Sequence, residues 1–573
     1  MPKPPPHPAP RWAGARATAA WLVPWLVPFL LGWVLLDLIF NLRWPPGEHP
    51  SSPRAWLAAS LPPSWDVAAL FGGFALLGWQ RRALSPALLR ALAAAVFLVG
   101  LLRAGDLLVG RAYYRPLNLT LDVPLLPEFA RLLASTLPAR RLLLGGAATL
   151  LLGALLLLAI DAALRHAQRT LGAYPSARAL VVVVMATSAA LGRFAPTPPS
   201  VLPLLGAQVR FAVQARRLRR DKSREIRATQ DRLARLPSGL EKLAGADVLL
   251  LIVESYGTTV FTRPGFAAGM AIEHDRFAAQ IAHAGFGVAT STLAAPIQGG
   301  GSWLAHATLA AGVHIGDGLA FAVLQQTDPP PQTMAWFFQQ AGYRTVLVQP
   351  GTTRPWPEGE VVGFQQKYYA PALGYRGPPF GWATMPDQYV VDFVHRQEIA
   401  RAQRPLFVEY ALVSSHAPWS LQPAVVEDWS RLGDGSLFHA LPPVRFPVVW
   451  QRLEEGGDAY LASLIYDFRV LGAYLPRLAR DTLVIVLGDH QPVAGVTGND
   501  PSPAVPIHVL SRNLALLDPF LADGYSPGMR PTQARAPAPM ESFLGDLLAR
   551  LSQKQAREEP GGNDQSRGGA VAD

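Results

Sequence analysis

Apolar positions follow one pattern in the first third of the chain and a different pattern in the rest. Up to about residue 196 they form long uninterrupted segments, whereas from about residue 246 short apolar runs alternate with amphipathic stretches. Long apolar segments are typical of membrane-spanning helices, and the alternation is typical of an α/β domain. The pattern therefore predicts an α-helical membrane domain followed by an α/β domain.

Two of the apolar segments are long enough to cross a bilayer as helices. Residues 21–40 contain a single charge, Asp37, and residues 142–160 contain none. A hydrocarbon core of ~30 Å needs about 20 helical residues at ~1.5 Å each. Three shorter apolar segments comprise residues 67–79, 91–102 and 179–192. Their length also fits buried helices of a soluble protein, but their flanking arginines can snorkel to a membrane surface. Counting these, we predict about five transmembrane helices.

The chain is basic, with a formal net charge of +10 and a pI near 9.9, which suits nucleic acid or lipid headgroups as partners. Basic residues are densest at 209–235, where ten Lys and Arg stand against three acids. The positive-inside rule predicts that this segment is cytoplasmic, whereas five spans after a cytoplasmic N-terminus place it outside the cytoplasm. The other interpretation of its charge is a solvated basic helix that lies on anionic headgroups. The segment lacks interleaved aromatics, so we expect no nucleic acid partner.

Composition divides the chain into five predicted parts. The tails at residues 1–18 and 552–573 are expected to be disordered. Between them lie a transmembrane domain (19–196), a basic helical linker (197–244) and an α/β domain (245–551). The absence of cysteine excludes disulfides, thiolate catalysis and Cys-ligated zinc.

Four predicted strands of the α/β domain end in polar side chains. Their continuous apolar runs are typical of strands that are buried on both faces and therefore parallel. In open parallel sheets ligands bind beyond the carboxyl ends of the strands, so these polar groups are expected to meet along one edge. The four segments are ADVLLLIVESYG (246–257, with Glu254), YRTVLVQPG (343–351, with Gln349), PLFVEYALVSSHAPW (405–419, with His416) and TLVIVLGDHQP (482–492, with Asp489 and His490).

A fifth segment supplies a candidate nucleophile. APIQGGGSWLAHATLAAG (295–312) places three glycines before Ser302 and a helix-like stretch after it. Glycines let the backbone approach a bound anion, and a helix N-terminus favours negative charge. The alternative is a serine that only caps the helix after a flexible turn. His306, one turn further along, is expected to pack or to face solvent.

Taken in order, these motifs resemble the alkaline phosphatase/sulfatase superfamily, and within it the membrane-anchored branch of lipoteichoic acid synthases and phosphoethanolamine transferases. VESYG resembles the first metal-binding strand, GGGSW the Ser/Thr nucleophile, SSHAPW the segment that contacts substrate phosphate, and LGDHQP the Asp-His metal pair. Residues 460–478 resemble the helix before the last strand. The resemblance covers about residues 246–515 and implies a sulfatase-like α/β domain with a mostly parallel central sheet. In that branch, five spans precede an extracytoplasmic domain.

The resemblance also implies a catalytic site. One divalent metal ion, Mn²⁺ or Zn²⁺, would be held by Glu254, Ser302, Asp489 and His490, a set of three oxygens and one imidazole that suits either ion. Ser302 would attack phosphorus and form a covalent intermediate. His416 would hold a phosphate oxygen or protonate the leaving group.

The sequence departs from the superfamily's patterns in two places. Sulfatases that use formylglycine need C/S-x-P-x-R, and the residues after Ser302 lack it, so sulfate ester hydrolysis by that route is not expected. Gln349 stands where the lipoteichoic acid branch tends to place a histidine, so its glycerol-phosphate pocket need not exist here. His508 is expected to be structural, in a final strand. Three further residues are candidates for substrate contacts: Arg354, Trp356 and Lys367.

We therefore predict a membrane-anchored, metal-dependent phosphoryl or phosphodiester transferase that acts on cell-envelope lipids or glycans. Two alternatives stay open: a phosphoric or sulfuric ester hydrolase of the same fold, and a catalytically inactive membrane sensor or scaffold. The complete set of Glu254, Ser302, Asp489 and His490 argues against the inactive protein. The expected location is the inner (plasma) membrane, with several spans and an extracytoplasmic or periplasmic catalytic domain.

Overall fold

The computed structural model describes residues 12–41, 64–113, 115–191, 201–354, 356–380, 383–419, 421–445, 453–498, 502–531 and 535–553. The chain divides into two compact units. The first comprises Met1–Leu218 and Val493–Pro501, and the second comprises Arg219–Pro492 and Ser502–Asp573. Most of the two predicted tails, residues 1–11 and 554–573, lies outside the described residues.

Among the residues that the structure describes, the regular structure of the first unit is helical. Its first helix begins at Trp12, inside the predicted tail, because the alanine-rich residues that follow are strong helix formers. The helices are α1 (Trp12–Phe40), α2 (Trp65–Trp79), α3 (Pro86–Tyr113), α4 (Leu119–Asp122), α5 (Leu126–Thr136), α6 (Ala139–Ala173) and α7 (Pro175–Leu191). Helix α8 (Val201–Leu233) follows and contains most of the predicted basic linker.

Each predicted span lies within one of these helices, apart from residue 192, which is outside the described residues. Two stretches of the described chain are long and apolar enough to cross a membrane, Pro86–Gly110 and Ala139–Ala173. Three other apolar helical stretches are shorter: Trp25–Phe40, Trp65–Trp79 and Pro175–Thr187. The structure thus supports two candidate spans, and the count of five stays a prediction.

The first unit leaves many apolar side chains uncovered. On α6, Leu143 is 74% exposed and Leu150 is 77% exposed. Contiguous apolar exposure of this kind marks a surface that contacts lipid or protein. Asp37, the one charge of the first apolar segment, is buried and accepts hydrogen bonds from the Ser64 backbone N–H (2.7 Å) and the Asn41 amide (3.1 Å), which offset the cost of its burial.

The second unit is built on one large sheet. Its strand order is β10-β2-β9-β8-β1-β5-β3-β4, with β11 beside β2, and β6 pairs separately with β7. The strands are β1 (Asp247–Val253), β2 (Gly287–Ala294), β3 (Arg344–Gln349), β4 (Gln366–Tyr369), β5 (Leu406–Leu412), β6 (Leu421–Gln422), β7 (Val444–Arg445), β8 (Thr482–Gly488), β9 (Ala504–Ser511), β10 (Ser526–Pro527) and β11 (Ala538–Pro539).

The predicted parallel arrangement is confirmed for the centre of this sheet. Strands β4, β3, β5, β1 and β8 run parallel, and β9 joins β8 antiparallel. All seven residues of β1 and all seven of β8 are buried, as their continuous apolar runs predict. His508 lies in β9, as a buried residue within the sheet, although two short strands follow it along the chain.

Helices connect these strands, as expected for parallel neighbours. In the second unit the helices are α9 (Thr259–Thr262), α10 (Pro264–His283), α11 (Ser302–Ala311), α12 (Gly318–Gln325), α13 (Met334–Gln340), α14 (Asp387–Gln397), α15 (Leu453–Tyr474), α17 (Asp518–Ala522) and α18 (Phe543–Leu551), whereas α16 (Ala494–Thr497) belongs to the first unit. The apolar core includes side chains of β1, β8 and β9 together with those of α11, α13 and α18. This core fixes the sheet edge at which the polar strand ends meet.

Candidate active site

Strand register brings the first two predicted metal ligands together. In the parallel ladder of β1 and β8, Val253 pairs with Gly488, so Glu254 and Asp489 are the next residues on neighbouring strands. On the other side Val253 pairs with Leu412 of β5, whose following loop carries His416. The edge predicted from four polar strand ends therefore exists, and its centre is β1.

Ser255 locks the two acidic residues in place. Its backbone adopts a left-handed conformation (φ 57°), which costs a non-glycine residue about 1–2 kcal/mol. In this conformation its N–H donates to Oδ1 of Asp489 (2.8 Å) and its hydroxyl donates to Oε1 of Glu254 (2.9 Å). The Tyr460 hydroxyl donates to the Ser255 carbonyl (2.8 Å). The sequence analysis did not identify Ser255, because its position next to Glu254 is the only feature of the sequence that suggests a role in the site.

Gly488 permits the close approach of β8 to the segment after β1. A Cβ atom at this position would lie 1.8 Å from the backbone oxygen of Tyr256, a distance that no side chain can adopt. The Gly-Asp-His sequence at the end of β8 therefore has a steric origin as well as a chemical one.

Ser302 is the first residue of α11, and its side chain points to the acidic residues. Its hydroxyl donates to Oε2 of Glu254 (2.7 Å), and its Oγ lies 3.2 Å from Nε2 of His490. The residue that caps the helix is Gly301, and no side chain makes a capping hydrogen bond there. The alternative that Ser302 is a simple helix cap is therefore wrong.

The glycine before Ser302 is required by its backbone conformation. Gly301 has φ +87°, whereas a Cβ atom there would meet only the Leu304 side chain at an ordinary 3.6 Å. We therefore expect Gly301→Ala to destabilise the domain by about 1–2 kcal/mol through backbone strain and to displace Ser302. Activity should fall by at least about tenfold.

Gly285 offers the matched control for this substitution. It has φ +84° and open space where a side chain would stand, but it lies before β2, at the opposite edge of the sheet. Gly285→Ala should lower the melting temperature to a similar extent with kcat nearly unchanged. Equal losses of kcat in the two variants would contradict a specific role for the Gly301 conformation.

His490 presents one ring nitrogen to the acidic residues. Its Nδ1–H donates to the carbonyl of Gln491 (2.8 Å), which leaves Nε2 directed at the cluster. Nε2 lies 3.3 Å from Oε1 of Glu254 and 3.5 Å from Oδ2 of Asp489. A backbone partner on Nδ1 is the usual way in which a protein orients a metal-binding imidazole.

Burial and charge shift the pKa values of these three groups in different directions. Burial raises the pKa of Glu254, but the charges of His416 and His490 outweigh it and hold the pKa below its usual value. Burial and the Glu254 charge raise the pKa of Asp489 to about 6. Burial opposes the charged form of His490, yet Asp489 and Glu254 raise its pKa to about 9. The cluster thus attracts positive charge.

The donor set fits a divalent cation. One ligand atom each from Glu254, Asp489 and His490 lies within 4.8 Å of the others, and all three residues are buried. Oδ1 of Asp489 accepts two backbone N–H bonds, whereas its buried Oδ2 accepts no hydrogen bond within the described part of the chain. A buried carboxylate oxygen without a donor is expected where a metal ion binds. Ser302 Oγ adds a fourth donor, 2.7 Å from Glu254.

His416 lies in the loop after β5, close enough to interact electrostatically with Glu254 and His490. Burial lowers its pKa, and the Glu254 charge partly opposes this effect. The preceding residue ties the loop to the site, because the Ser415 hydroxyl donates to the Glu254 carbonyl (2.8 Å). The sequence analysis did not identify Ser415 as a residue of the site, and its position in the SSHAPW motif is the only feature of the sequence that suggests this role.

The other residues singled out in the sequence have structural partners. His306 is buried, and its Nδ1–H donates to Oε1 of Glu409 (3.0 Å), so it packs as expected. The Tyr256 hydroxyl lies 3.0 Å from Nε2 of His508, which supports a structural role for His508. Gln349 and the three candidates for substrate contacts have different surroundings. Gln349 is buried at the end of β3, and Arg354 is exposed. Trp356 stacks on Phe321, and Lys367 pairs with Glu360.

Comparison with known proteins is consistent with this geometry. Residues 310–506 match the family model described as Sulfatase. The match includes His416, Asp489 and His490, and it begins after Glu254 and Ser302. No curated protein sequence matches the chain.

The chain is similar to solved structures of one synthase and two transferases. The lipoteichoic acid synthase LtaP from Listeria monocytogenes is 12% identical, with 53% of this chain and 72% of that chain covered and a TM-score of 0.35. The phosphoglycerol transferase GacH from Streptococcus pyogenes is 12% identical, with 57% and 92% covered and a TM-score of 0.35. The lipooligosaccharide phosphoethanolamine transferase EptA from Neisseria meningitidis is 10% identical, with 92% and 96% covered and a TM-score of 0.45.

The family match and the ordered motifs agree on one assignment. The matched region contains β3, β4, β5 and β8 and the first three residues of β9, which are strands of the central sheet. Residues 310–506 are therefore similar to the sulfatase family, the superfamily that the ordered motifs also resemble.

Proposed function

We propose that this protein is a membrane-anchored, metal-dependent phosphotransferase that acts on cell-envelope lipids or glycans through a covalent intermediate on Ser302. The observation that carries the proposal is the position of Ser302 Oγ, 2.7 Å from Oε2 of Glu254 and 3.2 Å from Nε2 of His490. A serine hydroxyl held among candidate metal ligands, at the end of a glycine-rich loop, has the surroundings of an activated nucleophile.

The first half of the proposed reaction forms the intermediate. Ser302 Oγ attacks phosphorus, its proton passes to Oε2 of Glu254, and the bond between phosphorus and the leaving oxygen breaks. The leaving oxygen takes a proton, for which His416 is the proposed donor. In the second half an acceptor hydroxyl attacks the same phosphorus and gives its proton to His416, while the bond between phosphorus and Ser302 Oγ breaks and Ser302 recovers its proton from Glu254. With water as the acceptor, the same steps give hydrolysis.

Glu254, Asp489 and His490 would hold the metal ion, with Ser302 Oγ as the fourth ligand. When bound, the ion would lower the pKa of the Ser302 hydroxyl and polarise a phosphoryl oxygen. Three oxygen donors and one imidazole form a set that both Mn²⁺ and Zn²⁺ accept, and we propose one ion of either kind.

The apolar N-terminal helices support a substrate that shares the membrane. Pro86–Gly110 and Ala139–Ala173 have the length and composition of spans, and α6 exposes its leucines. Tethering raises the effective concentration of only those substrates that lie in or on the same surface. A lipid-borne phosphodiester as donor and a second lipid or glycan hydroxyl as acceptor therefore fit better than soluble monoesters.

The reaction itself is tested with the purified full chain in detergent, supplied with Mn²⁺ or Zn²⁺ and labelled phospholipids. The proposal predicts a labelled transfer product that requires the metal ion. Rapid turnover of soluble phosphomonoesters, with no labelled product from any lipid donor, would instead support the hydrolase. An absence of turnover on both substrate classes would support the inactive sensor or scaffold.

Topology provides an independent prediction. We propose five spans and an extracytoplasmic catalytic domain, although the basic residues of α8 favour the cytoplasmic side. A reporter that is active only outside the cytoplasm, fused after residue 551, should therefore be active. A matched reporter that is active only in the cytoplasm should be inactive at the same position. The reverse pattern would mean that the span count is wrong by one.

A further inference from the structure

A groove in the second unit is lined by three arginines. It lies between α8 and the C-terminal end of α12, and its volume is about 230 Å³. This volume is below the ~300–1,000 Å³ that is typical of sites for drug-sized ligands, so the groove suits a small ligand or a headgroup. The residues that line it, none of which is acidic, are Arg219, Arg220, Ser223, Arg227, Val323, Gln326 and Thr327.

Most polar side chains of the groove have no partner in the part of the chain that the structure describes. There, the guanidinium groups of Arg219, Arg220 and Arg227 make neither an ion pair nor a hydrogen bond. The Ser223 hydroxyl and the Gln326 side-chain amide also make no hydrogen bond there. Five side chains that can donate hydrogen bonds therefore line one groove without a described acceptor.

The acidic residues of this stretch of α8 pair with other basic residues. Glu225 pairs with Lys222 (2.6 Å), and Asp221 pairs with Arg224 (3.4 Å). None of these four residues lines the groove. The charges of the three groove arginines therefore repel one another without a counter-charge in the groove, and a bound anion would offset this repulsion.

Helix α8 is fixed to the second unit beside the groove. Ile226 of α8 is fully buried and packs in one apolar cluster with Val323 and Leu324 of α12. Further along α8, Oε1 of Gln230 accepts the backbone N–H of Gln332 (2.6 Å). Because the two helices already pack together, a ligand would bind to a preformed groove and pay little to order it.

The donors of the groove fit phosphate. Guanidinium groups bind phosphate oxygens through paired, charge-assisted hydrogen bonds. The turns of α8 that precede the groove along the chain, in the first unit, favour a lipid as the source of that phosphate, because a basic helix with an exposed apolar face is typical of a headgroup surface. The exposed apolar residues of these turns, spaced by three or four positions along one helix face, are Leu202, Leu205, Val209 and Val213.

We infer that the groove between α8 and α12 binds the phosphate of an anionic phospholipid headgroup. The groove is separate from the proposed metal site, because none of its lining residues is a proposed metal ligand. The inference goes beyond the proposed reaction, since headgroup binding requires neither the metal ion nor turnover. Only the choice of a lipid as the carrier of the phosphate rests on the proposed membrane anchoring.

Replacing two groove arginines tests this site. Arg220→Gln combined with Arg227→Gln removes two charged donors, so the Kd of the full chain in neutral detergent for short-chain phosphatidylglycerol should rise by at least about tenfold. Both side chains are exposed and unpaired within the described chain, so the double variant without lipid should unfold at the wild-type temperature or above it. The shift of melting temperature with added lipid measures binding.

Two arginines of α8 that do not line the groove provide the control. Arg224→Gln combined with Arg232→Gln makes the same change of net charge on the same helix, also within the second unit. The Kd of this variant for phosphatidylglycerol should stay within about threefold of the wild type. Equal losses of affinity in the two double variants would mean that α8 attracts anionic lipid only through its overall charge, and would overturn the groove as a site.

Inorganic phosphate distinguishes a lipid headgroup from a free anion. It should bind the wild type at least about tenfold more weakly than phosphatidylglycerol does, because it is not concentrated on the micelle that surrounds the apolar helices. Equal affinity for inorganic phosphate would overturn the assignment to a lipid. All these measurements are made without metal ion or substrate turnover, so a failure of the proposed transfer reaction would leave their outcome unaffected.

Discussion

Replacing Ser302 with alanine is expected to abolish phosphoryl transfer and leave the domain folded. Loss of a catalytic nucleophile lowers kcat by about 10³-fold or more. The stability cost should be about 1 kcal/mol or less, because the lost hydroxyl is half-buried and makes one hydrogen bond to Glu254. Transfer from a labelled lipid donor measures the first effect, and thermal unfolding measures the second.

Ser542 is the matched control for this variant. Its side chain is also half-buried, and its hydroxyl donates to Oδ2 of Asp546 (3.2 Å) outside the site. Ser542→Ala should lose a similar amount of stability and retain full activity. A Ser302→Ala protein that still transfers phosphate at the wild-type rate would refute Ser302 as the nucleophile.

Replacing Asp489 with asparagine is expected to eliminate stabilisation of the protein by Mn²⁺ or Zn²⁺. For the wild type, a metal ion at one hundred times its Kd should stabilise the folded state by about 2.7 kcal/mol. The asparagine oxygen can still accept the N–H bonds of Ser255 and His490. Removing the charge also removes repulsion from Glu254, so the metal-free variant should be at least as stable as the metal-free wild type.

Thermal unfolding with and without added metal ion, after treatment with a chelator, measures this effect. Glu398→Gln is the control, because Glu398 pairs with Arg344 (2.8 Å) and is not among the proposed ligands. The control should be less stable than the wild type, but the metal ion should raise its melting temperature by as much as it raises that of the wild type. If the metal ion raises the melting temperature of Asp489→Asn by the same amount, the ion binds elsewhere.

The sheet edge was predictable because the sequence pattern carries its geometry. Uninterrupted apolar runs require strands covered on both faces, and such strands are parallel, so their polar ends must share one edge. The pattern thus predicted Glu254, Asp489 and His490 as polar ends of neighbouring strands, and the family resemblance implied their role as metal ligands. The glycines before Ser302 made it a candidate nucleophile, a role that the resemblance also implied; their backbone conformation is one that other residues adopt only at a cost.

Other features of the site depend on contacts that no local pattern encodes. Ser255 bridges Asp489 and Glu254 only because β8 packs beside β1 in one register. The apolar N-terminal helices illustrate the same limit, since three apolar stretches are too short for length alone to distinguish a span from a buried helix.

The covalent intermediate is the central claim, and trapping it is the most direct test. The full chain is incubated with metal ion and a labelled phospholipid donor in the absence of acceptor, quenched in acid, digested and mapped by mass spectrometry. The account predicts a labelled phosphate adduct on the peptide that contains Ser302, absent from Ser302→Ala and unchanged in Ser542→Ala. Turnover of the donor with no adduct on Ser302, or with the adduct on another residue such as His416, would contradict it.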